Sequence, residues 1–157
     1  MAGLLPPVIF CVREHPNQVV YFNEVAGGPA GAFGRYDMDY WGNCLLQSLQ
    51  RTTDLTQGSP SRVKVSGWPG QIVRVDARRF PRLQFTDLTD QSHQVEVLLA
   101  RGTRAEVIDL AERHDLLARV VTRDGALLCA VLPGPALHTL SSGSAQAGPD
   151  RRQPLEH

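Results

Sequence analysis

The amino-acid sequence predicts an α/β domain: a small mixed β-sheet flanked by helices, with an antiparallel hairpin at its C-terminal edge. Three features carry this expectation. Asp124-Gly125 lies between two β-rich runs and favours a tight hairpin turn. Thr103 and Glu106 form a capping box that opens an apolar-striped helix. Strand-like and helix-like segments alternate upstream of both, as they do in sheets covered by helices. The 157 residues suit one domain, and 42% hydrophobic against 20% charged residues leaves enough apolar surface for a core.

Taken in order, residues 18–22 (Gln-Val-Val-Tyr-Phe) are β-branched and aromatic and predict a short extended segment. The glycine-rich stretch 27–34 follows and reads as a flexible connection. Trp41, Leu45 and Leu49 recur at four-residue spacing, with Cys44 and Ser48 beside them. They predict a helix over 40–51 with Asp39 as its cap and Trp41 on its core face. Residues 53–61 form a polar linker, and the alternation around Val63 and Val65 predicts a strand that ends at Gly67.

Residues 71–80 satisfy both strand and helix periodicities, and the reading adopted is helix. Leu83 and Phe85 give a short strand. The apolar run 95–100 around Glu96 predicts an inner strand covered on both faces. The capping-box helix runs from Thr103 to about His114. The hairpin pairs 119–122 with 126–132 through a two-residue turn whose residues take positive φ. The expected organisation is therefore an N-terminal tail (1–14), one α/β domain (15–135), and a disordered segment (136–157) rich in Ser, Gly, Pro and Gln that ends in what looks like the start of a histidine tag.

Sixteen basic residues balance sixteen acidic ones, so no net field draws in nucleic acid, which is excluded as a partner. Cys11, Cys44 and Cys129 are far apart and show no metal-binding or disulfide framework. They read as small buried hydrophobes, with an odd count that leaves at least one thiol free. The apolar stretch 4–12 is far shorter than the roughly 20 residues that span a bilayer, and Pro6 and Pro7 interrupt it.

His15, His93, His114, His138 and His157 lack metal-ligand spacing and read as surface or capping residues. Ser66, Ser92 and Cys44 have no nucleophile elbow around them, so no catalytic residue and no metal site is assigned. Candidate ligand contacts fall earlier in the chain. Gly27 and Gly28 open a loop that could present N–H groups to an anion, although the spacing matches neither standard phosphate fingerprint. Asp37 and Asp39, two residues apart, would share one face of an extended segment. Tyr36, Tyr40 and Trp41 beside them supply an aromatic surface of the kind that holds sugars or lipid headgroups.

His15-Pro16, Tyr21-Phe22-Asn23-Glu24-Val25-Ala26-Gly27-Gly28 and Asp39-Tyr40-Trp41-Gly42 together resemble a series found in bacterial multi-pass membrane glycosyltransferases. There a similar series follows the last membrane helix and opens a soluble C-terminal domain. The resemblance covers about residues 15–42. It implies that residues 4–12 end a membrane helix and that the domain lies on the extracytoplasmic, periplasmic face of the inner membrane, where such enzymes use polyprenyl-phosphate sugars. The catalytic carboxylate of those families sits in an early loop outside this chain, so none is carried over.

What the resemblance transfers by position is Asn23, Gly27, Gly28, Asp39, Tyr40, Trp41 and Gly42, as residues that order the membrane-proximal part or touch acceptor. The partners it implies are the membrane portion of the parent protein and a lipid-linked sugar or acceptor. It implies no cofactor within this chain, and a divalent metal would belong to the parent enzyme. The competing expectation is a free-standing α/β enzyme that binds a nucleotide or phosphate through residues 27–34. A protein-interaction module is a third.

Overall fold

A computed structural model describes residues 5–66 and 77–137. Its centre is a mixed five-stranded sheet built from β1 (Ser61–Ser66), β2 (Leu83–Phe85), β3 (Val95–Leu99), β4 (Ala118–Val121) and β5 (Leu127–Pro133). The strand order is β2-β1-β3-β5-β4. β1 pairs in parallel with β2 and β3, while β5 runs antiparallel to both β3 and β4. The α/β class with an antiparallel pair at one edge is thus the observed architecture.

The sheet is accompanied by α1 (Leu5–Arg13), α2 (Gly28–Ala32), α3 (Cys44–Leu55) and α4 (Arg104–Glu112), with a further helical turn beginning at 135–137. α3 packs across β3, β4 and β5, and its buried stripe Cys44, Leu45, Ser48, Leu49 and Thr52 follows helical spacing. Val97 and Val131 face it. Leu98, Ala130 and Leu132, on the opposite side of the same strands, pack with Val107 and Leu110 of α4. Two-sided cover belongs to β5, which is buried along nearly its whole length. β3 is an inner strand as expected, but it is fully buried only at alternate residues.

Several local expectations are corrected. Residues 18–22 do not form an extended segment throughout: Gln18–Val20 is a 3-10 turn whose Val20 N–H donates to Asn17 O at 3.1 Å and whose Val20 side chain enters the core. The glycine-rich stretch is not a loose connection. It winds into α2, with Pro29 in its first turn and Ala32 fully buried. Gly31 makes this possible, because a Cβ there would lie 2.4 Å from Ala26 O.

The helix expected over 40–51 starts and ends four residues later. Gly42 takes φ 71°, outside helical geometry, so the chain turns before Cys44. At the far end Thr52 is buried, with its hydroxyl donating to Ser48 O at 2.8 Å, and this carries the helix into the stretch read as linker. The predicted helix over 71–80 lies outside the described residues except at 77–80, where Ala77–Arg79 form a 3-10 turn and Phe80 follows it into the core.

The hairpin forms where expected, but its loop has three residues. Thr122 N–H donates to Ala126 O, Gly125 N–H donates to Thr122 O, and only Gly125 takes positive φ (91°). A register irregularity at Val120/Val121 accommodates the extra residue. The capping box is present: Thr103 Oγ1 accepts from the Glu106 N–H, and Glu106 Oε2 accepts from the Thr103 N–H at 2.8 Å. Beyond β5 the chain stays on the sheet, with Ala136 N–H donating to His93 O at 3.2 Å.

Cys44 and Cys129 are both fully buried and joined by a disulfide between α3 and β5, with Cα atoms 5.8 Å apart across 85 residues of sequence. Their burial matches the sequence reading, and their bonding does not. Cys11 is free and exposed. His93, expected at the surface, is buried at the entrance to β3, its Nδ1 2.8 Å from Asp90 O.

Candidate functional site

The candidate residues separate into three groups. Asp39 lies between buried Met38 and the turn at Gly42, and its carboxylate points inward with the residue only 2% exposed. Oδ2 accepts from the Cys44 N–H at 2.7 Å and Oδ1 from Asn43 Nδ2 at 3.0 Å. It therefore satisfies an orphan donor at the start of α3, the capping role the sequence suggested, and has no oxygen turned to solvent. Asp37 points outward instead. The two aspartates do not share a face, because the segment between them turns to bury Met38.

Asp37 Oδ2 accepts from Arg101 Nη2 at 2.9 Å, and the same guanidinium lies 4.9 Å from the centre of the Tyr40 ring. Tyr40 in turn meets Trp41 edge to face, with ring centres 5.1 Å apart. Trp41 is 64% exposed, so it is not the core residue its spacing with Leu45 suggests. The shift in the start of α3 explains this: with the helix beginning at Cys44, Tyr40 and Trp41 sit on the preceding turn and face outward. Tyr36 is also exposed and stacks on Phe22 at 5.7 Å. The outcome is an acidic, basic and aromatic surface held from behind by the buried Asp39.

Arg101 is the member that sequence reasoning missed. It stands 64 positions from Asp37 and just past the end of β3, and no local pattern marks it. Next to it, residues 34–37, Ala100, Gly102, Arg104 and Val107 enclose a cavity of about 350 Å3. Glu106 lies behind Gly102, and hydrogen bonds from the Thr103 N–H and then its hydroxyl hold its carboxyl below the ordinary value of 4.5.

Asn23 makes a local turn: its Oδ1 accepts from the Ala26 N–H at 3.0 Å and its backbone O from the Gly28 N–H at 3.1 Å. Its side of the molecule carries a shallow hollow of about 430 Å3 shared with Tyr21, Phe22 and Tyr36. Gly27 and Gly28 line a larger cleft of about 670 Å3 between α1 and the hairpin loop. One wall is apolar, formed by Leu5, Ile9 and Phe10, and the other end holds Arg13, Glu14, Arg123 and Asp124. Asp124 Oδ2 accepts from the Ala30 N–H at 3.0 Å and Glu14 Oε2 from the Arg123 N–H at 2.9 Å. A carboxylate thus already occupies the start of α2, where a phosphate cradle would need to be vacant.

Glu96 forms a separate polar cluster on the sheet. Its Oε1 accepts from Ser66 Oγ at 2.5 Å and lies 3.1 Å from Lys64 Nζ, while Oε2 is 3.7 Å from His93 Nε2. Burial raises its carboxyl, but the bonds from Ser66 and Lys64 outweigh that effect and the net shift is downward. Among the described residues no three His, Cys, Asp or Glu side chains converge as metal ligands, and no helix is long and apolar enough to cross a membrane. Comparison with protein-family models, curated proteins and solved structures finds no match to this chain.

Proposed function

We infer that this chain is an extracytoplasmic domain of a membrane glycosyltransferase, accessory to sugar transfer from a lipid-linked donor and not catalytic by itself. The observation that carries the reading is the exposed Tyr40–Trp41 pair braced by Arg101 and Asp37. Exposed rings beside hydrogen-bonding groups suit the apolar faces and hydroxyl edges of a saccharide. They coincide with the Asp39-Tyr40-Trp41-Gly42 portion of the resemblance described above.

Two further features support it. A buried disulfide suits a compartment where thiols are oxidised, such as the periplasm, and is rare in the cytosol. The helix α1 leaves Leu5, Val8, Ile9 and Val12 exposed, as a segment emerging from a bilayer would. The competing nucleotide-binding reading loses support because the Asp124 carboxylate repels an anion at the one N-terminus the glycine-rich stretch offers.

The natural gene tests the reading. Several hydrophobic spans of roughly 20 residues encoded ahead of this sequence are the expected result, together with no sugar transfer by the chain expressed alone. A gene without such spans overturns the membrane assignment, and measurable transferase activity from the chain alone overturns the accessory role.

A further inference from the structure

The cavity beside the aromatic pair has a charge pattern that the neutral balance of the whole chain conceals. Residues 34–37 form one wall, and Ala100, Gly102, Arg104 and Val107 form the other. Arg35 and Arg104 both line it, and their guanidinium groups make no hydrogen bond or ion pair among the described residues. The carboxylates nearby are already committed: Asp37 to Arg101 at 2.9 Å, and Glu106 to the Thr103 N–H and hydroxyl at 2.8 Å. Arg101 is thus taken by Asp37, while Arg35 and Arg104, which both line the hollow, have no carboxylate partner among the described residues.

Its volume of about 350 Å3 stands at the small end of the roughly 300–1,000 Å3 common for ligand sites, a size that suits one sugar ring. Asp37 belongs both to the cavity wall and to the Arg101 bridge that supports Tyr40. A ring seated in the cavity would therefore adjoin a second unit lying on the aromatic surface.

We propose that this cavity binds the carboxylate-bearing unit of an acidic saccharide through Arg35 and Arg104, with the adjoining sugar against Tyr40 and Trp41. The proposal rests on the saccharide reading given above and specifies its ligand. Guanidinium groups match a carboxylate in two-point geometry, and a charge-assisted bond of this kind distinguishes a uronic acid from the neutral sugar of the same shape. Because the chain has no net charge, attraction for an anion must come from this local pair and not from a global field.

The test is an isothermal titration with tri-galacturonic acid, with maltotriose and inorganic phosphate as comparators, followed by amide chemical-shift mapping. The expected result is binding of the acidic trimer with shifts over residues 34–41 and 100–107. Each of Arg35→Gln and Arg104→Gln should weaken it by about tenfold, while Arg35→Lys retains part of the affinity. Raised salt should weaken it as well. Thermal melts of each variant that match the parent separate lost binding from lost folding. Equal affinity for maltotriose, unaffected by either substitution, overturns the acidic ligand and leaves the saccharide reading standing. Binding of inorganic phosphate in preference to the trimer, or of no saccharide at all, overturns the proposal, whereas the membrane assignment is decided separately by the gene.

Discussion

Arg101 Nη2 stands 2.9 Å from Asp37 Oδ2 while its guanidinium covers the Tyr40 ring at 4.9 Å, so one side chain ties a turn before α3 to the end of β3. The pair is partly exposed, and salt bridges in that setting contribute less than about 1 kcal/mol. Its effect is on placement. Arg101→Met should leave the urea midpoint nearly unchanged while altering the Tyr40 and Trp41 ring resonances and weakening saccharide binding. A large loss of stability would show that the contact is structural instead.

The Cys44–Cys129 disulfide closes a long loop between α3 and the most buried strand. In the chain-entropy account, closing about 85 residues restricts the unfolded state by roughly 4–5 kcal/mol. Urea unfolding with and without reductant should differ by about 2–5 kcal/mol. Ellman titration of the native protein should detect only Cys11, and reduction followed by unfolding should expose all three thiols.

Asp39 tests the inward anchor. Asp39→Ala removes the acceptor for the Cys44 N–H in a buried setting, and unsatisfied buried donors cost about 1–3 kcal/mol. Chemical denaturation should show that loss, and hydrogen exchange should quicken in the first turn of α3. A change within experimental error would mean that Asn43 or water replaces the cap.

Gly31→Ala places a methyl group 2.4 Å from Ala26 O, so α2 must shift. Overpacking of this kind costs about 1–3 kcal/mol, measurable as a lowered melting temperature. The circular dichroism of the folded baseline should change little, because α2 is short.

Glu96 sets an acid-side dependence. Its carboxyl is lowered from an ordinary value of 4.5, the bonds from Ser66 and Lys64 outweighing its burial. A group depressed in the folded state adds stability that is fully present above the unfolded value and disappears as pH falls through the folded one. Comparing the parent with Glu96→Gln by denaturation from pH 7 to pH 3, the gap should be constant above about pH 5 and close below about pH 4.5. A gap that widens on acidification would reverse the assignment.

Short-range chemistry accounts for what the residues alone foretold. The capping box at Thr103 and Glu106 and the alternation of Val63 and Val65 depend on neighbours within a few positions, so pattern and geometry coincide, and the place of the hairpin turn at Asp124-Gly125, though not its loop length, was legible in the same way. Asp39 as a cap was legible for the same reason.

The candidate surface was only half visible. Tyr36, Asp37, Tyr40 and Trp41 stood out as a cluster, yet their exposure depended on where α3 begins. That in turn depends on a positive φ at Gly42 and a buried carboxylate at Asp39. Arg101, Arg104 and the Cys44–Cys129 bond were decided by sheet order alone. β3 lies between β1 and β5, which brings Arg101 beside Asp37 and sets Cys129 under α3, contacts across 64 and 85 residues that no local periodicity encodes. Hydrophobic pattern selects elements because burial acts on each segment's own face. Which elements become neighbours, and so which charges meet, follows only when the whole core closes at once.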